Sequence, residues 1–325
     1  MDPALILDNI LTPPILFFVL GVVATLVRSD LEVPAQVARF LSLYLLFSIG
    51  LHGGHELARS ELEASSVLIL ILAVLTSMLI PVWMFFLLRR RISGADAAAI
   101  GATYGSVSAV TFITAVGFLN AVDVPFGGHM VAAMALMESP AIVVGVLLAR
   151  RFDDRPDREP FRWSELGREA FLNGSVLVLL GSLIVGLVSG DAGWESVKPF
   201  AYDPFKGVLC LFLLDMGLVA ARRLRDLRNS GALLVTVAIV GPILHGFLGI
   251  AIARLVGVSE GDALLVAMLV GGGSYIAVPA AVRLAIPEAN PSLYVPMALG
   301  VTFPFNVIVG IPMHFAIIQW LWSAG

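Results

Sequence analysis

Ten apolar runs, each about the length needed to cross a bilayer, constrain this chain more than any other feature. They lie near 10–27, 35–53, 65–88, 96–119, 128–149, 170–189, 201–221, 231–254, 262–284 and 294–321. Inside hydrocarbon a backbone must satisfy its own hydrogen bonds, so such runs are read as helices and the expected fold is an all-α membrane protein. Composition agrees: 58% of residues are hydrophobic, 14% are charged and the mean hydropathy is +0.94, against roughly 25% charged in an ordinary soluble domain. A net charge of -4 over 325 residues gives no footprint for nucleic acid. The single cysteine, Cys210, lies in an apolar run, so no intrachain disulfide forms and a buried inert thiol is expected. Residues Met1 to Asn9 lack the basic region of a cleavable signal, and the first span is expected to stay in the mature protein.

A loop dense in both charges, 151–169, divides a first unit at 1–150 (spans 1–5) from a second at 170–325 (spans 6–10). Basic residues collect on the cytoplasmic side of a membrane. With the N-terminus outside, that side receives all but Arg59, Lys198, Lys206 and Arg254 of the 20 Lys and Arg. The expected protein is therefore multi-pass in the cell (inner) membrane, with both termini outside and the charged loop and the Arg222–Arg228 cluster in the cytoplasm.

The two halves repeat one another. Ser93-Gly94-Ala95-Asp96-Ala97 opens span 4 as Ser259-Glu260-Gly261-Asp262-Ala263 opens span 9, and nine residues beyond each aspartate stand Gly105 and Gly271. Ser108 then falls on Ser274, Ser48-Ile49-Gly50-Leu51 on Asp215-Met216-Gly217-Leu218, and Met134-Ala135-Leu136 with Pro140 on Met297-Ala298-Leu299 with Pro304. Five spans is an odd number, so the second unit must lie upside down relative to the first. Two inverted five-helix repeats, common among secondary transporters, are expected.

Spans 4 and 9 are also where the helix pattern fails. Gly271-Gly272-Gly273-Ser274-Tyr275-Ile276-Ala277-Val278-Pro279 contains three glycines, each costing a helix about 1 kcal/mol, and then a proline. Gly105-Ser106-Val107-Ser108 is its counterpart. Broken helices meeting at mid-membrane would present two half-helix N-termini, with orphan N–H groups and positive dipole ends that suit a small anion. Gly105, Ser106, Ser108, Thr111, Gly272, Gly273, Ser274 and Tyr275 are the candidate substrate-binding residues. Neither break contains Lys or Arg, which fits a weakly held monoanion. Close helix packing is the other use for glycine and serine there.

An anion entering a cell with a negative interior needs a co-transported cation. Glu138, in Met137-Glu138-Ser139-Pro140, and Asp215 are the acids embedded in apolar sequence. Glu138 precedes a proline break, and Thr302-Phe303-Pro304-Phe305-Asn306 stands at the equivalent place in span 10. Glu138, Ser108, Ser274, Thr302 and Asn306 form the candidate Na+ set, with Asp215 a weaker candidate and Asp96 and Asp262 read as helix N-terminal caps or first-turn acids. His52, His55, His129, His245 and His314 show no metal spacing, and no phosphate loop, zinc motif or hydrolase elbow is present, so neither enzyme chemistry nor an organic cofactor is expected.

Ser274-Tyr275-Ile276-Ala277, the stretch from Pro287-Glu288-Ala289-Asn290-Pro291 to Thr302-Phe303-Pro304-Phe305-Asn306, the segment Gly101 to Thr111 and the Met-Glu-Ser-Pro element resemble the sodium-dependent bicarbonate transporter family of the SbtA type. The resemblance implies ten spans divided into core and gate domains, a homotrimer, bicarbonate held with Na+ where the broken helices cross, and a PII-like regulator docking from the cytoplasm. Two departures stand out: the triple glycine replaces an alternation of small and serine residues, and Glu138 replaces an aspartate. The expected function is Na+-coupled bicarbonate symport by a core of spans 3–5 and 8–10 moving against a gate of spans 1, 2, 6 and 7. Transport of another small monoanion such as a monocarboxylate, Na+/H+ exchange, and a non-transporting sensor are the alternatives.

Overall fold

The computed structural model describes residues 11–59, 63–152, 167, 174–226 and 231–323. The expected features at Met1–Asn9 and in most of the 151–169 loop lie outside the described residues, as do Arg155, Arg158, Arg162, Arg168 and Arg228 and the side chain of Arg225. Among the described residues all regular structure is helical.

The first half begins with α1 (Pro13–Leu26), where two prolines occupy positions whose N–H groups would be orphans in any helix. Then come α2 (Ala35–Arg59), α3 (Ala64–Leu88, with Pro81 inside), α4 (Gly94–Gly105), α5 (Ala109–Ala121), α6 (His129–Glu138) and α7 (Pro140–Arg151). The second half has α8 (Gly174–Ala201), α9 (Phe205–Asp226), α10 (Gly231–Val256, with Pro242 inside), α11 (Glu260–Val270), α12 (Ala277–Ala285) and α13 (Pro291–Ser323). Within α8, Gly190 takes φ 63°, a left-handed turn open to glycine that bends the helix. Within α13 the turns Pro296–Thr302 and Asn306–Gly310 are wound as π-helix on either side of Pro304, which cannot donate to the ordinary ladder.

Among the described residues, seven segments are long and apolar enough to cross a membrane: Ala35–Arg59, Ala64–Leu88, Gly94–Ala121, His129–Arg151, Gly174–Ala201, Gly231–Val256 and Pro291–Ser323. The remaining three apolar runs fall on α1, on α9, and on α11 with α12. Leu177, Ile184, Val185 and Val188 of α8 and Leu79, Phe86 and Leu87 of α3 are exposed, as side chains facing lipid must be. Several long apolar helices with bare apolar faces make this a multi-pass membrane protein.

Helix α2 runs six residues past the expected end of its span because small residues seat it on α8. A methyl on Gly50 would lie 2.6 Å from the Leu179 carbonyl oxygen, one on Gly54 2.8 Å from the Leu183 carbonyl carbon, and one on Gly186 3.0 Å from the His55 nitrogen. Backbones this close gain dispersion contacts that larger side chains forbid. Helices α1 and α9 meet in the same way, with Gly21 against Leu218 and Gly217 against Val22. Pro81 of α3 lies against Gly101 and Gly105 of α4, and Pro242 of α10 lies against Gly271 at the end of α11.

Both broken spans start with the same cap. Ser93 accepts from the Asp96 N–H at 3.0 Å, and Ser259 from the Asp262 N–H at 3.1 Å. Each aspartate then reaches into the other half of the chain: Asp96 accepts from the Asn290 N–H at 2.7 Å, and Asp262 from the Gly127 N–H at 2.7 Å. The two serines are thus the caps, and each aspartate is a first-turn acid that pins a loop in the other half of the chain.

Candidate functional site

The α4 helix stops at Gly105 because Ser106 adopts an extended ψ of 174°, and α5 restarts only after Ser108. The Ser108 hydroxyl accepts from the Thr111 N–H at 3.2 Å and from the Thr111 hydroxyl at 2.9 Å, an N-cap on a helix start buried in protein. In the second half α11 stops at Val270, the chain runs irregularly through 272–276, and α12 begins at Ala277. The Ser274 hydroxyl accepts from the Val278 N–H at 3.3 Å. The two breaks touch. Ser274 donates its N–H to the Thr103 carbonyl at 2.8 Å, and a methyl on Gly272 would lie 3.2 Å from the Ser108 nitrogen.

A cavity of about 470 Å3 opens beside this junction. One wall is made by the two breaks and the helix starts that follow them, from Val107 to Val110 and from Ser274 to Ala277, together with Glu138. The rest of the lining comes from α2 (Arg39, Ser42, Leu46), α9 (Phe212, Asp215, Met216) and the start of α8 at Gly174. In α5 the Thr111 N–H goes to the Ser108 hydroxyl and Phe112 is the first to reach a backbone carbonyl, 3.0 Å from Ser108 O. Ala109 and Val110 are thus the orphan donors of that helix start, and both line the cavity.

The candidate residues separate into two groups. Ser108, Glu138, Ser274 and Tyr275 line the cavity together, although they come from three different spans. The Glu138 carboxylate has no hydrogen-bond or ion-pair partner among the described residues, while its backbone carbonyl accepts from the Ser106 hydroxyl at 2.9 Å. Gly105, Ser106, Thr111, Gly272, Gly273, Thr302 and Asn306 stand outside the lining. Gly105 is bare because Pro81 and the Ser77 carbonyl, 2.9 Å from a built methyl, leave no room; Gly272 is close-packed on backbone atoms, whereas Gly273 has room for a methyl. Thr302 is buried behind the breaks, donating to the Ala238 carbonyl at 2.6 Å and meeting the Tyr104 hydroxyl at 2.8 Å. Asn306 is buried beside it, donating to the Gly271 carbonyl at 2.9 Å, with its own carbonyl oxygen unpartnered.

Arg39 is a lining residue that the sequence did not single out. It sits in the first turns of α2, exposed and far in sequence from either break, and its chemistry alone made it one loop arginine among many. Its position puts a guanidinium at one end of a cavity whose breaks carry no base. Asp215 lines the cavity as well, is 6% exposed, and has no hydrogen bond or ion pair with a described residue, Lys206 included. Elsewhere, among the described residues, no group of three or more His, Cys, Asp and Glu side chains is gathered as a metal cluster. His55 bonds Asp191 at 2.9 Å, and His52 packs among Phe126, Trp194 and Tyr202. Cys210 is buried and unpaired.

Two helix starts and an unpartnered carboxylate around one cavity are suited to holding a small anion beside a hard cation. Comparison with known proteins gives the same chemistry. None of the curated proteins matches the chain. The family model for the Na+-dependent bicarbonate transporter superfamily matches residues 13–319, nearly the whole chain, and the protein therefore belongs to that superfamily.

Proposed function

We propose that this protein is a secondary active transporter that takes up bicarbonate together with Na+ by alternating access, holding the anion at the crossing of the broken spans 4 and 9. The observation that carries the reading is the shared cavity: the starts of α5 and α12 and the free Glu138 carboxylate converge on it from three spans. The dipole ends and hydroxyls of Ser108 and Ser274 receive the anion, and Glu138 with neighbouring oxygens receives Na+. No covalent chemistry is needed, so the protein is a carrier and not an enzyme, and Na+ is cargo.

The architecture in this proposal is ten spans in two inverted repeats. Mirrored contacts support it: span 2 packs on span 6 through Gly50 and Gly54 as span 7 packs on span 1 through Gly217 and Gly21, and Asp96 and Asp262 exchange loops between the halves. Helices α3–α7 and α10–α13 form the core, and α1, α2, α8 and α9 the gate. The cavity lies between the two. It reaches Arg39 and Gly174, at the end of the molecule that carries the charged loop. At the opposite end Gly53 of α2 is pressed against Gly128 and Val131 of the core, and Asn120 bonds Tyr202 at 3.2 Å. With the charged loop in the cytoplasm of the cell membrane, this is an inward-facing state sealed outside. The family resemblance adds a homotrimer and a cytoplasmic PII-like regulator to the proposal.

A volume of about 470 Å3 exceeds what one bicarbonate fills, given about 30 Å3 for a liquid water, and Phe212, Met216 and Tyr275 line it. That observation favours a second reading, in which the anion is a small monocarboxylate. Uptake of labelled bicarbonate and of a monocarboxylate panel into proteoliposomes, with and without an inward Na+ gradient, separates the two. A folded protein whose uptake ignores the Na+ gradient for every anion would sink the symport.

A further inference from the structure

We propose that Asp215 is a second cation-binding group of this carrier, so that two Na+ ions accompany each monoanion and a net positive charge moves inward in every cycle. The proposal rests on the symport reading above and adds to it a coupling ratio. Asp215 stands between Leu211-Phe212-Leu213-Leu214 and Met216-Gly217-Leu218 on α9, and it is 6% exposed. An ionised carboxylate so placed is disfavoured unless something pairs with it. Among the described residues nothing does so within hydrogen-bond or ion-pair distance, although Arg222, two turns further along the helix, contributes positive potential. What Asp215 does border is the cavity it shares with Glu138.

Charge decides the count. The lining holds two acids, Glu138 and Asp215, and one base, Arg39. Among the lining side chains, with both acids ionised and Arg222 set aside because it stands two turns away and outside the lining, one monoanion and one Na+ leave a net negative charge that a second Na+ neutralises. The two acids also belong to different helices. Glu138 ends α6 beside the breaks, and Asp215 lies on α9, which is anchored to α1 through Gly217. Oxygen is the only donor either acid offers, and Ser42 lines the same cavity, a set that suits a hard monovalent cation.

The test uses the full chain in proteoliposomes, with labelled Na+ and bicarbonate and an imposed K+ diffusion potential. The wild type is expected to show a Hill coefficient for Na+ of about 2 and faster uptake when the interior is negative. Asp215→Asn is expected to lower the coefficient to about 1, to abolish the potential dependence, and to raise half-saturating Na+ about tenfold. A wild type carrying one Na+ per anion overturns the proposal whatever the variant does, which covers a variant that fails to fold. So does an Arg39→Gln, Asp215→Asn double variant with wild-type coupling, since the aspartate would then serve only to neutralise the arginine. Calorimetric titration of the purified protein with Na+ separates this proposal from the one beneath it. Two sites in the wild type and one in Asp215→Asn sustain the Asp215 site even if bicarbonate proves not to be the cargo, and one site in both overturns it.

Discussion

The second break supplies two adjacent glycines that should respond differently to the same substitution. A methyl built on Gly272 lies 3.0 Å from the Met268 carbonyl oxygen and 3.2 Å from the Ser108 nitrogen, both backbone atoms. The same methyl on Gly273 meets the Tyr104 ring at 3.5 Å and the Ala298 methyl at 3.6 Å, ordinary contact distances. Neither glycine has a positive φ, so alanine is unstrained by backbone conformation at both. Relieving the first site means separating the two breaks by a few tenths of an ångström and lengthening the 2.8 Å bond from Ser274 N–H to the Thr103 carbonyl. Overpacking of that kind costs about 1 to 3 kcal/mol, which corresponds to a loss of about 5- to 150-fold if it falls on the transport-competent geometry. Gly273→Ala should stay within about 0.5 kcal/mol of wild type. Na+-driven bicarbonate uptake and thermal melting of both purified variants give the comparison. Equal behaviour of the two, or greater damage from Gly273→Ala, would refute the packing geometry assigned to the junction.

Three further outcomes are expected. Glu138→Gln should raise half-saturating Na+ by about 10- to 100-fold, in line with a charged hydrogen-bond or ion contact of about 1.5 to 3 kcal/mol, with Glu138→Asp intermediate; unchanged Na+ dependence of uptake in both would remove Glu138 from the ion site. Gly54→Val forces a branched side chain into the Leu183 backbone, where even a methyl carbon would sit 2.8 Å from its carbonyl carbon, and should lower the melting temperature by several degrees, about 2 kcal/mol or more of lost stability; differential scanning fluorimetry in detergent reads it, and a wild-type melt would contradict the α2–α8 seam. Asp262→Asn and Asp96→Asn each weaken a charged cross-half loop contact, and Asp96→Asn also weakens the bond from the Ser93 hydroxyl; each should cost about 1 to 2 kcal/mol. A double variant whose loss equals that of either single one would show that the two contacts are not the independent pair the fold displays.

The broken helices were legible because glycine, proline and serine act on the backbone locally: Gly271-Gly272-Gly273 before Pro279, and Ser108 as a cap, have their effect wherever the helix is placed. Hydropathy likewise fixed the class of protein, since apolar runs of this length have few other uses. The Glu138 carboxylate could be singled out because an acid in apolar sequence is costly in any packing. Which walls close around it is a different matter. Arg39 and Asp215 lie about 100 and 77 residues from Glu138 along the chain, and only the docking of α2 and α9 against the breaks brings all three to one cavity. Thr302 and Asn306 bond the Ala238 and Gly271 carbonyls and stand outside the cavity lining, because the direction of a side chain on a π-wound turn depends on which helices flank it. The sequence determined where the backbone must break and what charge it must bury, both local matters of conformational preference and solvation; the tertiary structure alone decided which side chains share the cavity, because proximity between distant helices is set by their packing.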